Sequence, residues 1–125
     1  MTRLLVDTHA VLWWLTDDPA LSPTAREALA DPATEPLVSA ASIWEIAIKR
    51  SLGKLAAPDD LPGRIAGEGF AGLPVSAEHA WHVRTLPPHH DDPFDRLLIA
   101  QALVERLPVI TTDARFGAYG VDARW

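Results

Sequence analysis

Short apolar runs, each giving way to a segment of helical spacing, decide what this chain can fold into. RLLVD at 3–7 leads into THAVLWWL, PLVS at 36–39 leads into SIWEIAIKRSLGKL, and LPVS at 73–76 leads into AEHAWHVRTL. The runs read as short buried strands and the segments after them as helices, because their spacing is helical rather than alternating. VITT at 109–112 is a fourth strand, and VDARW is a candidate edge strand. Strand and helix alternating within 125 residues, 48% of them hydrophobic, predict one α/β domain over 1–125: a doubly wound, mostly parallel sheet covered by helices on both faces.

Punctuation places the helix ends. Ser22 before Pro23 is an N-cap with proline at the first helical position, so a helix is expected over about 23–31, stopped by Asp31 and Pro32. Asp92 before Pro93 repeats the device ahead of PFDRLLIAQALVERL, whose Leu98, Ile99, Ala102 and Leu103 share a face. AEHAWHVRTL ends before Pro87 and Pro88, and Ala56–Gly72, interrupted by Pro58, Pro62 and several glycines, is expected to form a short helix and loops.

The absence of cysteine excludes disulfides, a thiolate nucleophile and zinc held through sulfur. No apolar run approaches the roughly 18 to 20 residues of a membrane span, and no signal-peptide pattern opens the chain, so a cytoplasmic protein without membrane attachment is expected. The 17 acids outnumber the 11 Lys and Arg, and the net charge of −6 opposes a surface that grips nucleic acid as a whole. That objection weakens if several acids surround a cation.

Ligands of such sheets bind beyond the carboxyl ends of the strands, which directs attention to the acids there. Asp7 follows the first strand and Asp113 follows VITT, although alone each is an ordinary N-cap or turn residue. Glu45 lies in an otherwise apolar helix start, with Lys49 four residues on as a surface ion pair worth about 0.3 to 0.5 kcal/mol. Asp95 precedes Leu98, Ile99 and Ala102 on the apolar stripe, where a carboxylate needs a partner and adjacent Arg96 faces elsewhere. One acidic pocket accounts for the four more economically than four coincidences. It would suit Mg²⁺ or Mn²⁺, hard cations that take carboxylate oxygens, and chemistry on phosphate.

LLVDTHAVLWWL, SAASIWEIAIKRSLGKL, HHDDPFDRLLIAQA and VITTDARF, in that order, resemble the PIN-domain nucleases, and among them the VapC-like ribonuclease toxins. The resemblance spans nearly the whole chain and implies a PIN-like fold. It makes Asp7 and Asp95 the principal metal ligands, with Glu45 and Asp113 completing the site directly or through water, and Thr8, Ser42 and Thr111 supporting them. It further implies Mg²⁺- or Mn²⁺-dependent RNA cleavage, a cognate antitoxin and a homodimer. Asp91 stands where these relatives lead one to expect a basic or neutral residue, and Asp92 reads as a helix cap. Trp13, Trp14 and Trp44 could serve dimerisation, though each alone reads as buried core. Setting the four site acids aside leaves the remaining charges nearly balanced.

Two alternatives remain at this point. A phosphoacceptor receiver domain also places acids at the edge of a doubly wound sheet, but it would show paired acids after the first strand and a late lysine, and no Lys follows Lys54. A non-catalytic PIN-like binding module is the other. Zinc held by histidine lacks support: His79 and His82 are outside any HExxH, and His89 and His90 read as structural or exposed residues of a polar loop.

Overall fold

The computed structural model describes residues 1–125. The chain runs β1 (Thr2–Val6), α1 (Thr8–Leu15), α2 (Pro23–Ala30), β2 (Thr34–Ser39), α3 (Ala40–Ser51), α4 (Leu61–Gly67), β3 (Ala71–Leu73), α5 (Ala77–His82), α6 (Pro93–Glu105), β4 (Val109–Ile110) and β5 (Ala123–Arg124). Short 3-10 segments occupy Val83–Thr85 and Ala114–Tyr119. All five strands are parallel, in the order β3-β2-β1-β4-β5, so the α/β sheet predicted from the strand–helix alternation is present.

Successive strand residues face opposite sides of the sheet, and here each side meets helices. Leu4 and Val6 of β1 join Val11, Leu29 and Ile46 in one core, while Leu5 joins Leu98, Ile99 and Phe116 in the other. Val109 and Ile110 are 0% and 1% exposed. Burial of two such side chains is worth about 3 to 6 kcal/mol, enough to hold a two-residue strand in register. That register fixes where Thr111 and Asp113 emerge.

The predicted caps are in place. Ser22 Oγ accepts the Ala25 N–H at 3.0 Å ahead of α2, and Asp92 Oδ1 accepts the N–H groups of Phe94 and Asp95 at 2.8 and 3.2 Å ahead of α6. Three expectations need correction. The third strand is Ala71–Leu73 rather than 73–76, because Pro74 has no N–H for a ladder and Ser76 is already the cap of α5. The fourth strand stops at Ile110; the Thr111 N–H still donates to Arg124 O at 3.0 Å, and the chain bends at Thr112. Trp44 is 58% exposed rather than core, whereas Trp13 and Trp14 pack partly buried against it.

From β1 the chain builds β2 and β3 to one side, then crosses to β4 on the other. The strand order therefore reverses between β1 and β4, and a crevice opens beyond their carboxyl ends. Receiver domains order their strands 2-1-3-4-5, so this topology removes that alternative. No helix is long and apolar enough to cross a membrane.

Candidate active site

Asp7 sits at the junction of β1 and α1 and is the N-cap of α1, its Oδ1 accepting the Thr8 N–H at 2.6 Å. Its Oδ2 accepts the Thr111 hydroxyl at 2.7 Å, from just beyond β4. Capping and facing the crevice are thus one placement. The side chain is buried, which raises its pKa, while the bonds from Thr111 and Thr8 act in the opposite direction.

Helical spacing turns Ser42, Glu45 and Lys49 of α3 toward the same crevice. Thr8 Oγ1 lies 2.9 Å from both Glu45 Oε1 and Ser42 Oγ. A carboxylate only accepts, so the single Thr8 proton points to Glu45 and the Ser42 hydroxyl donates to Thr8. Lys49 Nζ donates to Glu45 Oε2 at 2.5 Å. The ion pair read from the i,i+4 spacing is present, but Glu45 is buried in the site rather than on a solvated face.

Asp113 is the most fully bonded of the acids. Its Oδ1 accepts the Arg115 backbone N–H at 3.0 Å and Nε–H at 2.9 Å, while Oδ2 accepts Arg115 Nη2–H and His90 Nε2–H, both at 2.9 Å. The Arg115 guanidinium, ahead of all other influences, brings its pKa down to about 2.

Asp95, in the first turn of α6, is the opposite case. Its side chain is 20% exposed and its carboxylate accepts no hydrogen bond; His90 Nε2 approaches Oδ2 to 3.1 Å, but its bond goes to Asp113. Burial, followed by the charges of Asp7, Asp92, Glu45 and Asp113, pushes the Asp95 pKa up to about 7. A carboxylate that is mostly buried, accepts no hydrogen bond from the protein and opens on a cleft of other acids is poorly stabilised as an anion.

Asp7, Glu45, Asp95 and Asp113 line one cleft of about 640 Å³ with no hydrophobic residue in its wall. Thr8, Ser42 and Thr111 stand behind it, bonded to Glu45 and Asp7 as described. The donors are all oxygens, and the orphaned Asp95 lacks the positive charge that a hard cation would bring, so the residues fit Mg²⁺ or Mn²⁺.

Lys49, Asp91, Asp92 and Arg115 also line the cleft, as does His90, whose place there sequence reasoning missed. His90, read as a loop residue, is 3% exposed, and its Nδ1 accepts the Asp92 N–H at 3.1 Å. The available signal was its place two residues before a cap that itself opens the helix carrying Asp95. Arg96 was rightly denied to the acids: it donates to the carbonyls of Val83, Leu86, Pro87 and His90 and clasps the loop before α6.

The PIN domain family profile matches residues 4–121, and the chain belongs to this family. No curated protein matches it by overall sequence. Among solved structures it is similar to VapBC2 from Rickettsia felis bound to a DNA fragment from their promoter, with TM-score 0.73 and 11% identity, covering 98% of both chains. It is also similar to DNA-bound VapBC from Salmonella typhimurium, with TM-score 0.70 and 17% identity over 99% of this chain and 98% of that one. A toxin–antitoxin complex from Klebsiella pneumoniae gives TM-score 0.65 and 19% identity over 98% and 96%. At these identities the likeness is one of fold.

Proposed function

We propose that this chain is a Mg²⁺- or Mn²⁺-dependent endoribonuclease, acting as one domain over 1–125 and forming the toxin of a cytoplasmic toxin–antitoxin pair. One observation carries the reading: Asp95, mostly buried, without a hydrogen-bond donor and with its pKa at about 7, shares a polar cleft with five further acids, Asp7, Glu45 and Asp113 among them. Membership of the PIN domain family and the fold shared with toxin–antitoxin complexes support nuclease chemistry and an antitoxin partner.

Asp95 and Asp7 would hold the ion, with Glu45 and Asp113 as the remaining acids of the site. When bound, the ion supplies Lewis-acid charge at the scissile phosphate and lowers the pKa of water, so no side-chain nucleophile is needed. Thr111 and the Thr8 N–H orient Asp7, and the Ser42–Thr8 relay orients Glu45. Lys49 and Arg115 put positive charge on the cleft wall, where a phosphodiester would pass. The six carboxylates that line the cleft still outnumber these two cations, and a bound divalent ion would offset part of that excess.

Trp44 and Leu52, 58% and 62% exposed, lie with Ile48 along one side of α3, and Trp44 meets Phe94 of α6 edge-on at 5.1 Å between centroids. This apolar strip supports a homodimer through α3 and α6. The test of the function is cleavage of total RNA by the purified chain, free of antitoxin, with Mg²⁺ or Mn²⁺ and with EDTA. Metal-dependent cleavage that Asp7→Ala and Asp95→Ala both abolish is expected; intact RNA under all conditions would reject the reading.

A further inference from the structure

The four acids differ in how much of their bonding capacity is already taken. A carboxylate offers about four acceptor positions on its two oxygens. Asp113 has all of them filled, by three donors of Arg115 and by His90 Nε2–H. Asp7 and Glu45 each carry one bond on either oxygen, and Asp95 carries none.

His90 fixes one of those donors. Its Nδ1 accepts the Asp92 N–H at 3.1 Å, so in the neutral ring the proton is on Nε2, the nitrogen facing Asp113 and Asp95. The ligand atoms of His90, Asp95 and Asp113 lie within 4.8 Å of one another, which by spacing alone is a cation site. With its proton on Nε2, the ring has no lone pair to give there. Reversing the ring would set a carbon against the Asp92 N–H in place of Nδ1, and the backbone that presents the ring is held on both sides. The His90 N–H donates to Tyr119 Oη at 2.9 Å, the Tyr119 hydroxyl donates to Pro87 O at 2.6 Å, and Arg96 donates to His90 O at 3.3 Å.

We propose that His90 and Arg115 withhold Asp113 from metal coordination, so that the cleft takes a single divalent ion on Asp95, Asp7 and Glu45. Asp113 is then a positioning residue. Its two oxygens hold the Arg115 guanidinium, itself 58% exposed at the side chain, against the cleft wall and keep the His90 ring in place. The inference rests on the metal-dependent reading above and narrows which of this chain's acids serve it. It departs from the equal treatment of Glu45 and Asp113 that the family resemblance suggests.

Calorimetric titration of Mn²⁺ into the full chain separates the possibilities without an activity assay. Wild type is expected to bind one Mn²⁺ per chain. Asp113→Asn, which keeps the size of the side chain, is expected to bind one Mn²⁺ with a Kd within about threefold of wild type, whereas Asp95→Asn loses at least a hundredfold. Melting curves confirm that each variant is folded. Should Asp113→Asn lose Mn²⁺ as Asp95→Asn does, or should wild type bind two ions and Asp113→Asn one, the inference is overturned and the metal-dependent reading stands. Wild type that binds no Mn²⁺ overturns both.

Discussion

Thr111 Oγ1 donates to Asp7 Oδ2 at 2.7 Å, joining residues 104 apart in sequence at the carboxyl ends of two neighbouring strands. The contact depends on the parallel pairing of β1 with β4, Val6 opposite Ile110, which places the residues after each strand side by side. It orients a carboxylate that also caps a helix, so structure and chemistry can be separated by substitution. Asp7→Asn keeps an oxygen for the Thr8 N–H and removes a buried charge, whereas Asp7→Ala loses the cap at about 1 kcal/mol. Thermal unfolding should show Asp7→Asn at least as stable as wild type, with RNA cleavage down more than a hundredfold. A variant that stays folded and active would assign Asp7 to capping alone.

Asp95 gives the site a defined pH dependence. Its pKa is raised to about 7, so between about pH 4 and 7 the folded metal-free chain keeps a proton that the unfolded chain releases. Stability from this group is therefore greatest at low pH and is lost as pH rises through 7. Asp95→Asn should flatten that fall and raise the metal-free melting temperature at pH 8. Metal must displace the same proton, so Mn²⁺ affinity should drop by up to about tenfold per pH unit below 7. Affinity that is constant from pH 5.5 to 8 would contradict this. Asp113, held down to about 2, contributes stability above its unfolded value of 3.8 that is lost only as pH falls through about 2, outside this window.

Arg96 acts on the backbone. It donates to the carbonyls of Val83, Leu86, Pro87 and His90 and thereby shapes the loop that delivers His90 to the cleft. Arg96→Met keeps the stem and removes the donors, at an expected loss of about 2 to 3 kcal/mol in urea unfolding. Hydrogen exchange in the folded variant should rise first at the His90 N–H, which in wild type is bonded to Tyr119. Unchanged exchange there would mean that Tyr119 alone holds the loop.

The exposed strip of α3 yields a prediction about assembly. Replacing Leu52, 62% exposed, with Glu adds a charge where two apolar surfaces would meet and disturbs no buried contact. Sedimentation should show wild type as a dimer and Leu52→Glu shifted toward monomer, with the melting temperature of the monomeric fold preserved. A wild-type monomer at tens of micromolar would remove the homodimer from the account.

Local signals carried most of the fold. Ser22 with Pro23 and Asp92 with Pro93 fixed two helix starts, and acids following apolar runs pointed to the sheet edge, because capping and periodicity are properties of adjacent residues. The third strand was misplaced for a comparable reason: LPVS is as apolar as AGL, and only the missing N–H of Pro74 and the cap at Ser76 move the ladder two residues back. The condition of each acid was beyond sequence reading. Nothing near Asp113 in the chain announces His90, which reaches it across 23 residues, and Glu45 with Lys49 looks like a surface pair until α1 supplies Thr8 from above. Which carboxylate is satisfied and which is orphaned is decided by tertiary contact.

The central claim is that the orphaned Asp95 marks a metal site that cleaves RNA, and the most direct measurement is the rate of RNA cleavage by wild type and Asp95→Asn at pH 8 with and without Mn²⁺. The account predicts cleavage by wild type only with Mn²⁺, abolished by EDTA, and a loss of more than a hundredfold in an Asp95→Asn variant that melts no lower than wild type. Cleavage that persists in EDTA, or an Asp95→Asn variant as active as wild type, would contradict it.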